Sequence, residues 1–255
     1  MKTIILNEKQ EKMLHKHLLK EFMQPGFSFQ RFLSIQDPLE RVQYCNEFLG
    51  YIGHGSSRIV FEIDDSQILK CALGKYYQAG CDQNRREWEL DKSAHSPLLT
   101  KQLYIADDSS WLIGERVIPC EEMDFYKILG IPYRTFTNVD TIDDNYQTQN
   151  PDMMGYNEYQ PKTTNPKLSF EFIRLVMATL LNGKKNMATK AKEEYEIITT
   201  HPWFKELYKL CSQNNVTIGD VNINNMGIAI RNGTPNIVIL DAGLTPEIFN
   251  KHYYN

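Results

Sequence analysis

Gly53-His54-Gly55-Ser56-Ser57-Arg58-Ile59-Val60-Phe61, followed by a lone Lys70, is the stretch on which the reading of the fold turns. Gly53 and Gly55 carry no side chain to obstruct the backbone, so the N–H groups of His54 to Ser57 can approach and donate to phosphate oxygens. Residues 58–63 and 67–72 read as two strands of a hairpin that turns at Asp64-Asp65-Ser66. Lys70 stands seventeen residues after Gly53, in an otherwise apolar strand. A buried ammonium without an anion is costly, so that strand predicts a carboxylate partner. Residues 82–91 read as a helix with two candidates, Glu87 and Glu89, and Glu87 is favoured because it shares a helix face with Asn84.

Two further motifs follow in chain order. Asp220-Val221-Asn222-Ile223-Asn224-Asn225 sets a carboxylate and an amide five residues apart, so one short loop can aim the first at a hydroxyl and the second at a cation. Asp241-Ala242-Gly243 begins sixteen residues after Asn225, at the end of the apolar run Ile237-Val238-Ile239-Leu240. Ser110-Trp111-Leu112-Ile113-Gly114-Glu115-Arg116-Val117 reads as a strand between the helix and these motifs. Each motif alone is common in ordinary turns and hairpins. Their joint order and spacing carry the meaning.

In that order the stretches resemble the protein-kinase-like superfamily, over about residues 49–244. The resemblance implies an α+β, two-lobed protein-kinase-like fold with a reduced C-lobe and a helical N-terminal extension. The extension would be residues 1–48, the N-lobe 49–118, and residues 119–255 the reduced helical C-lobe with its catalytic loop and metal-binding turn. ATP and Mg2+ are the implied cofactors. Gly53, Gly55, Ser56 and Ser57 would then cover the phosphates, Val60 the adenine, and Lys70 would pair with the α- and β-phosphates while Glu87 holds it. The backbone of Glu115 and Val117 would hold the adenine edge, with Gly114 at the gatekeeper position and an open back pocket behind it. Asp220 would act as base or hydroxyl-orienting group, and Asn225 with Asp241 would hold magnesium.

The departures from the family pattern are specific. Arg58 stands where the third glycine of GxGxxG is usual, placing a cation near the nucleotide or another acidic group, and Ile68 replaces the small residue two before the lysine. Ile218-Gly219 replaces the usual His-Arg, and Asn222 stands where protein kinases carry a lysine that steadies the γ-phosphate. Fourteen residues follow Asp241, with no APE-like segment. The pattern resembles compact bacterial or bacteriophage kinase-like proteins. The expected activity is ATP-dependent phosphotransfer to a protein Ser/Thr or small-molecule hydroxyl. A pseudokinase acting as nucleotide sensor or scaffold, and an AMP transferase, stay open beside it.

Composition narrows the classes. A 255-residue chain that is 42% hydrophobic can bury a sizeable core, and a net charge of −4 offers no basic footprint for nucleic acid. Cys45, Cys71, Cys81, Cys120 and Cys211 lack the paired spacing of a zinc site and read as free thiols. No run approaches the ~20 apolar residues of a membrane span, so the expectation is a cytoplasmic protein, in the host cytoplasm if phage-encoded. Helices are expected over 7–22, from Asp37 to Phe48, and over 169–181, 189–199 and 202–212; strands over 214–218, 227–231 and 236–240; and a polar insertion over 138–167.

Overall fold

The computed structural model describes residues 26–133, 200–214, 216 and 222–253. The expected elements over 7–22, 138–167, 169–181 and 189–199 lie outside the described residues. Two compact units are present: the first takes the described residues up to Trp88 together with Lys101–Arg116, the second Glu89–Thr100 and the described residues from Val117 onward. No described helix is long and apolar enough to cross a membrane.

The first unit is built on one five-stranded antiparallel sheet. Its strands are β1 (Gly50–His54), β2 (Arg58–Glu62), β3 (Gln67–Ala72), β4 (Gln102–Ile105) and β5 (Trp111–Glu115), in the spatial order β1-β2-β3-β5-β4. β1 and β4 lack a clear apolar alternation and were not legible as strands beforehand. Cross-strand neighbours share a face, and the registers Val60↔Lys70, Lys70↔Leu112, Ile68↔Gly114 and Gln102↔Gly114 place all of these residues on one side. Ile59, Phe61, Leu69, Cys71, Trp111 and Ile113 line the other side and are buried.

Two helices supply the apolar partners of that second side. α1 (Phe29–Ser34) begins at Ser28, whose hydroxyl accepts from the Arg31 N–H. α2 (Pro38–Phe48) begins at Asp37, whose carboxylate accepts from the N–H groups of Leu39 and Glu40, with Pro38 in the first turn where a missing N–H costs nothing. Phe29 and Phe32 meet Trp111 edge-on, each with ring centres 5.4 Å apart. Arg41 is buried and fixes α2 to the sheet, donating from Nη1 to Ser110 Oγ at 2.9 Å and from Nη2 to the Ile35 carbonyl at 2.7 Å. α1 and α2, which lie within the expected N-terminal extension, share one hydrophobic cluster with the sheet.

The Lys70 side of the sheet receives α3 (Tyr77–Ala94), which runs longer than the expected 82–91. Gly80 allows the close approach: a Cβ there would lie 2.4 Å from the Ser57 carbonyl oxygen and 2.9 Å from Ala72 Cβ. Backbone cannot yield as a flexible side chain does. Gly80→Ala is therefore expected to destabilise the protein by about 1–3 kcal/mol through overpacking, read as a lower denaturant midpoint at unchanged slope.

In the second unit β6 (Ile118–Pro119), β7 (Met226–Arg231) and β8 (Thr234–Ile239) form an antiparallel sheet in that order. Asn232 and Gly233, with φ of 51° and 79°, make the two-residue turn between β7 and β8, the Asn-Gly type that matches strand twist. α4 (Glu122–Leu129) opens with a capping box between Glu121 and Asp124. α5 (Pro202–Asn214) packs Trp203, Phe204, Leu207 and Leu210 into the core, and Trp203 Nε1 donates to the Ile237 carbonyl at 3.2 Å. Asn214, expected to open a strand, closes α5; of residues 215–218 only Val216 is described, and it is buried. The segment after Asp241 also holds a short helix, α6 (Pro246–His252), capped by Thr245. The Thr-Pro-Glu start is a helix signal that the sequence reading did not take up.

Candidate phosphate and metal site

The glycine segment is the turn between β1 and β2, closed by the Gly55 N–H donating to the Arg58 carbonyl at 2.8 Å. A Cβ at Gly53 or Gly55 would meet nothing within 4 Å, and neither residue has a positive φ. Local packing and backbone conformation therefore do not demand glycine at either position. What glycine does there is leave the approach to the backbone clear. Ser56 is exposed on this turn, whereas Ser57 is buried. Ser57 Oγ accepts from Gln83 Nε2 at 3.2 Å and its carbonyl accepts from the Leu73 N–H at 2.8 Å. The side chain of Ser57 thus ties the end of the turn to α3.

Lys70 Nζ lies 2.7 Å from Glu87 Oε2, both side chains being buried. Glu89 is exposed. Glu87 is reached because α3 sits close enough, through Gly80, for its next two turns to present Gln83, Asn84 and Glu87 to the sheet, and all three are buried. Arg58 completes the group, with Nη1 2.8 Å from Glu87 Oε1. This contact is an ion pair without hydrogen-bond alignment, and the aligned bond of Nη1 goes to Asn84 Oδ1 at 3.2 Å. Asn84 in turn donates from Nδ2 to the Ser109 carbonyl at 2.9 Å. Of the two places open to the Arg58 cation, the acidic group is where the described contacts put it.

Val60 is the cross-strand neighbour of Lys70 on the same face and is half-buried. The open space expected behind Gly114 is not there. A Cβ on Gly114 would lie 2.7 Å from Oε1 of Gln102, its buried partner on β4. Sequence reading missed this because nothing local to Gly114 announces which residue β4 sets opposite it. Gly114→Met is expected to cost about 1–3 kcal/mol in thermal or chemical unfolding, with Gln102→Ala recovering most of it in the double variant. Glu115, the first of the two expected adenine-edge residues, has its N–H committed to the Lys101 carbonyl at 2.8 Å, and its carboxylate accepts from the Lys101 N–H at 2.7 Å. Val117 lies beyond the strand end and belongs to the second unit.

In the second unit the Asn-Gly turn fixes the β7–β8 register from Arg231↔Thr234 to Met226↔Ile239. One step further, the Leu240 N–H donates to the Asn225 carbonyl at 2.8 Å. Two motifs sixteen residues apart in sequence therefore emerge at one end of one hairpin, with Asn225 closing a 3₁₀ turn (Ile223–Asn225) and Asp241 following β8. Both are partly exposed. Asp241 Oδ1 accepts from the Gly243 N–H at 3.4 Å. Asn222 Oδ1 caps the 3₁₀ turn by accepting from the Asn224 N–H at 3.0 Å. Asp220 lies outside the described residues.

Three of the described cysteines have raised thiols. Burial pushes the thiols of Cys81 and Cys120 up to about 11, and a hydrogen bond with Cys45, reinforced by burial, raises Cys71 as well. Such thiols stay protonated and unreactive at neutral pH. Among the described residues no cluster of three or more His, Cys, Asp or Glu could hold a metal.

No family model and no curated protein matches the chain. Among solved structures it is similar to the streptomycin–ATP–APH(2″)-IIa ternary complex, with 13% identity and a TM-score of 0.32, covering 97% of this chain and 75% of that one. The architecture itself is α+β, with an antiparallel sheet and a helix between β3 and β4.

Proposed function

We propose that the protein is an ATP- and Mg2+-dependent phosphotransferase of the protein-kinase-like kind. The observation that carries this reading is the buried Lys70–Glu87 pair at 2.7 Å, on the strand pair that begins at an unobstructed glycine turn. A lysine held by a helix carboxylate is pre-aimed, so it can meet phosphate oxygens without first losing rotamer freedom. The turn that holds Gly53, Gly55 and Ser56 leaves its backbone open to approach, the Gly55 N–H itself being used to close the turn on the Arg58 carbonyl, and Val60 gives an apolar surface for the base. Asn225 and Asp241 offer hard oxygen donors from one hairpin end, the donor chemistry that Mg2+ takes. When bound, Mg2+ neutralises phosphate charge. Asp220 acts on the acceptor hydroxyl, of a protein Ser/Thr or of a small molecule, as general base or orienting group.

A nucleotide sensor without transfer is the second reading, and one observation favours it. Asn222, which stands where a γ-phosphate lysine is usual in the family, uses its side chain to cap a turn. Mass spectrometry of the protein with Mg-ATP separates the outcomes, since a phosphoryl adduct, an adenylyl adduct and no adduct have different masses.

Binding itself is tested by thermal stability. Mg-ATP at a hundredfold excess over its Kd should stabilise the wild-type chain by about 2.7 kcal/mol, and Lys70→Ala should remove most of that gain. If ATP, ADP, GTP and a non-hydrolysable analogue all leave the melting temperature unchanged at millimolar concentration with magnesium present, both the enzyme and the sensor reading fail.

A further inference from the structure

We propose that Arg58 is a positioning residue, which holds Glu87 and with it helix α3 in the engaged position independently of Lys70. The inference rests on the preceding reading for what Lys70 does, and on contacts within the first unit for what Arg58 does. Glu87 divides its two oxygens between two cations: Oε2 faces Lys70 Nζ at 2.7 Å and Oε1 faces Arg58 Nη1 at 2.8 Å. All three side chains are at most 7% exposed, so these contacts act where water screens them least. The same Nη1 donates to Asn84 one turn earlier on the helix, and Asn84 is fixed to the Ser109 carbonyl. Arg58 therefore grips α3 at two successive turns from the first residue of β2.

The consequence concerns when the lysine is ready. In kinase-type sites the lysine–glutamate pair is the contact that helix movement makes and breaks, and its assembly is a point of control. Here the glutamate has a second cation on a neighbouring strand. When Lys70 turns from Glu87 toward an anion, Glu87 keeps the Arg58 guanidinium, so the helix has no cause to leave. The site is assembled before nucleotide arrives and needs no activating step to dock α3. An arginine where the family carries a glycine is then a latch, set in place of a flexible turn.

Hydrogen exchange of the full chain, without nucleotide, reads the latch directly. Lys70→Met should leave exchange of the α3 amides within about twofold of wild type, because Arg58 still holds Glu87, while Arg58→Met should speed it by about tenfold or more through local opening. Exchange of β2 and β3 should change far less than that of α3, which separates a latch from general loss of stability. Should Arg58→Met fail to fold, Arg58→Lys keeps the charge but shortens the reach, and should speed α3 exchange measurably. Equal acceleration in Lys70→Met and in the Arg58 variant, or none in the Arg58 variant, overturns the proposal. A separate arm measures Mg-ATP affinity, which should weaken in the Arg58 variant. If wild type binds no nucleotide, the phosphotransfer reading fails by that result, and the latch is judged on the exchange data alone.

Discussion

Glu87→Leu is expected to destabilise the protein by about 3–5 kcal/mol, the range for removing one member of a buried ionic group. The loss is large because the substitution takes away the carboxylate shared by two buried cations, Lys70 and Arg58, and leaves leucine where both charges point. Glu87→Gln keeps the shape and one acceptor oxygen and should cost less. The measurement is chemical denaturation of wild type and both variants. A control is the triple replacement of Arg58, Lys70 and Glu87 by apolar residues of similar size, which should recover much of the stability while removing nucleotide binding, since an apolar set avoids the desolvation of all three charges. A Glu87→Leu chain as stable as wild type would show that the Lys70–Glu87 pair contributes nothing to holding α3.

The second large effect divides two aspartates by role. Asp220→Asn should lower transfer by about 10²-fold or more, the usual cost of a lost general base, while Mg-ATP affinity stays near that of wild type. Asp241→Asn should weaken magnesium-dependent binding as well as transfer, because on the proposed reading its carboxylate holds the metal in the ground state. Titrating a fluorescent ATP analogue with and without magnesium, beside a steady-state assay, separates the two. Full transfer in Asp220→Asn would remove it from the catalytic step and favour adenylyl transfer with the nucleotide reversed.

What was legible in advance was local. The bounds of β3 follow from an apolar run between turn residues, and the start of α2 from Asp37-Pro38, since caps and turns act over a few residues. Glu87 was preferred to Glu89 through helical spacing from Asn84, and the structure buries Asn84 and Glu87 together. β1 and β4 were missed because edge strands with mixed exposure carry no clean period. α6 was missed although Thr245-Pro246 announces it.

By itself, then, the sequence determined the inventory and order of the chemistry: an unobstructed glycine turn, one strand lysine needing a carboxylate, an Asp–Asn loop and a strand-terminal Asp. The Asn-Gly turn belongs with these, because two residues with positive φ suffice to set the β7–β8 register and bring Asn225 beside the end of β8, just before Asp241. Tertiary structure alone decided what Arg58 and Gly114 meet and what α2 packs against. Arg58 meets Glu87 twenty-nine positions away, Gln102 fills the space at Gly114 from another strand, and Arg41 reaches Ser110 across sixty-nine residues to make α2 part of the sheet's core. Periodicity and capping extend over a turn or two, whereas these pairings are fixed by which strands neighbour one another and how closely a helix without a side chain at Gly80 can approach them.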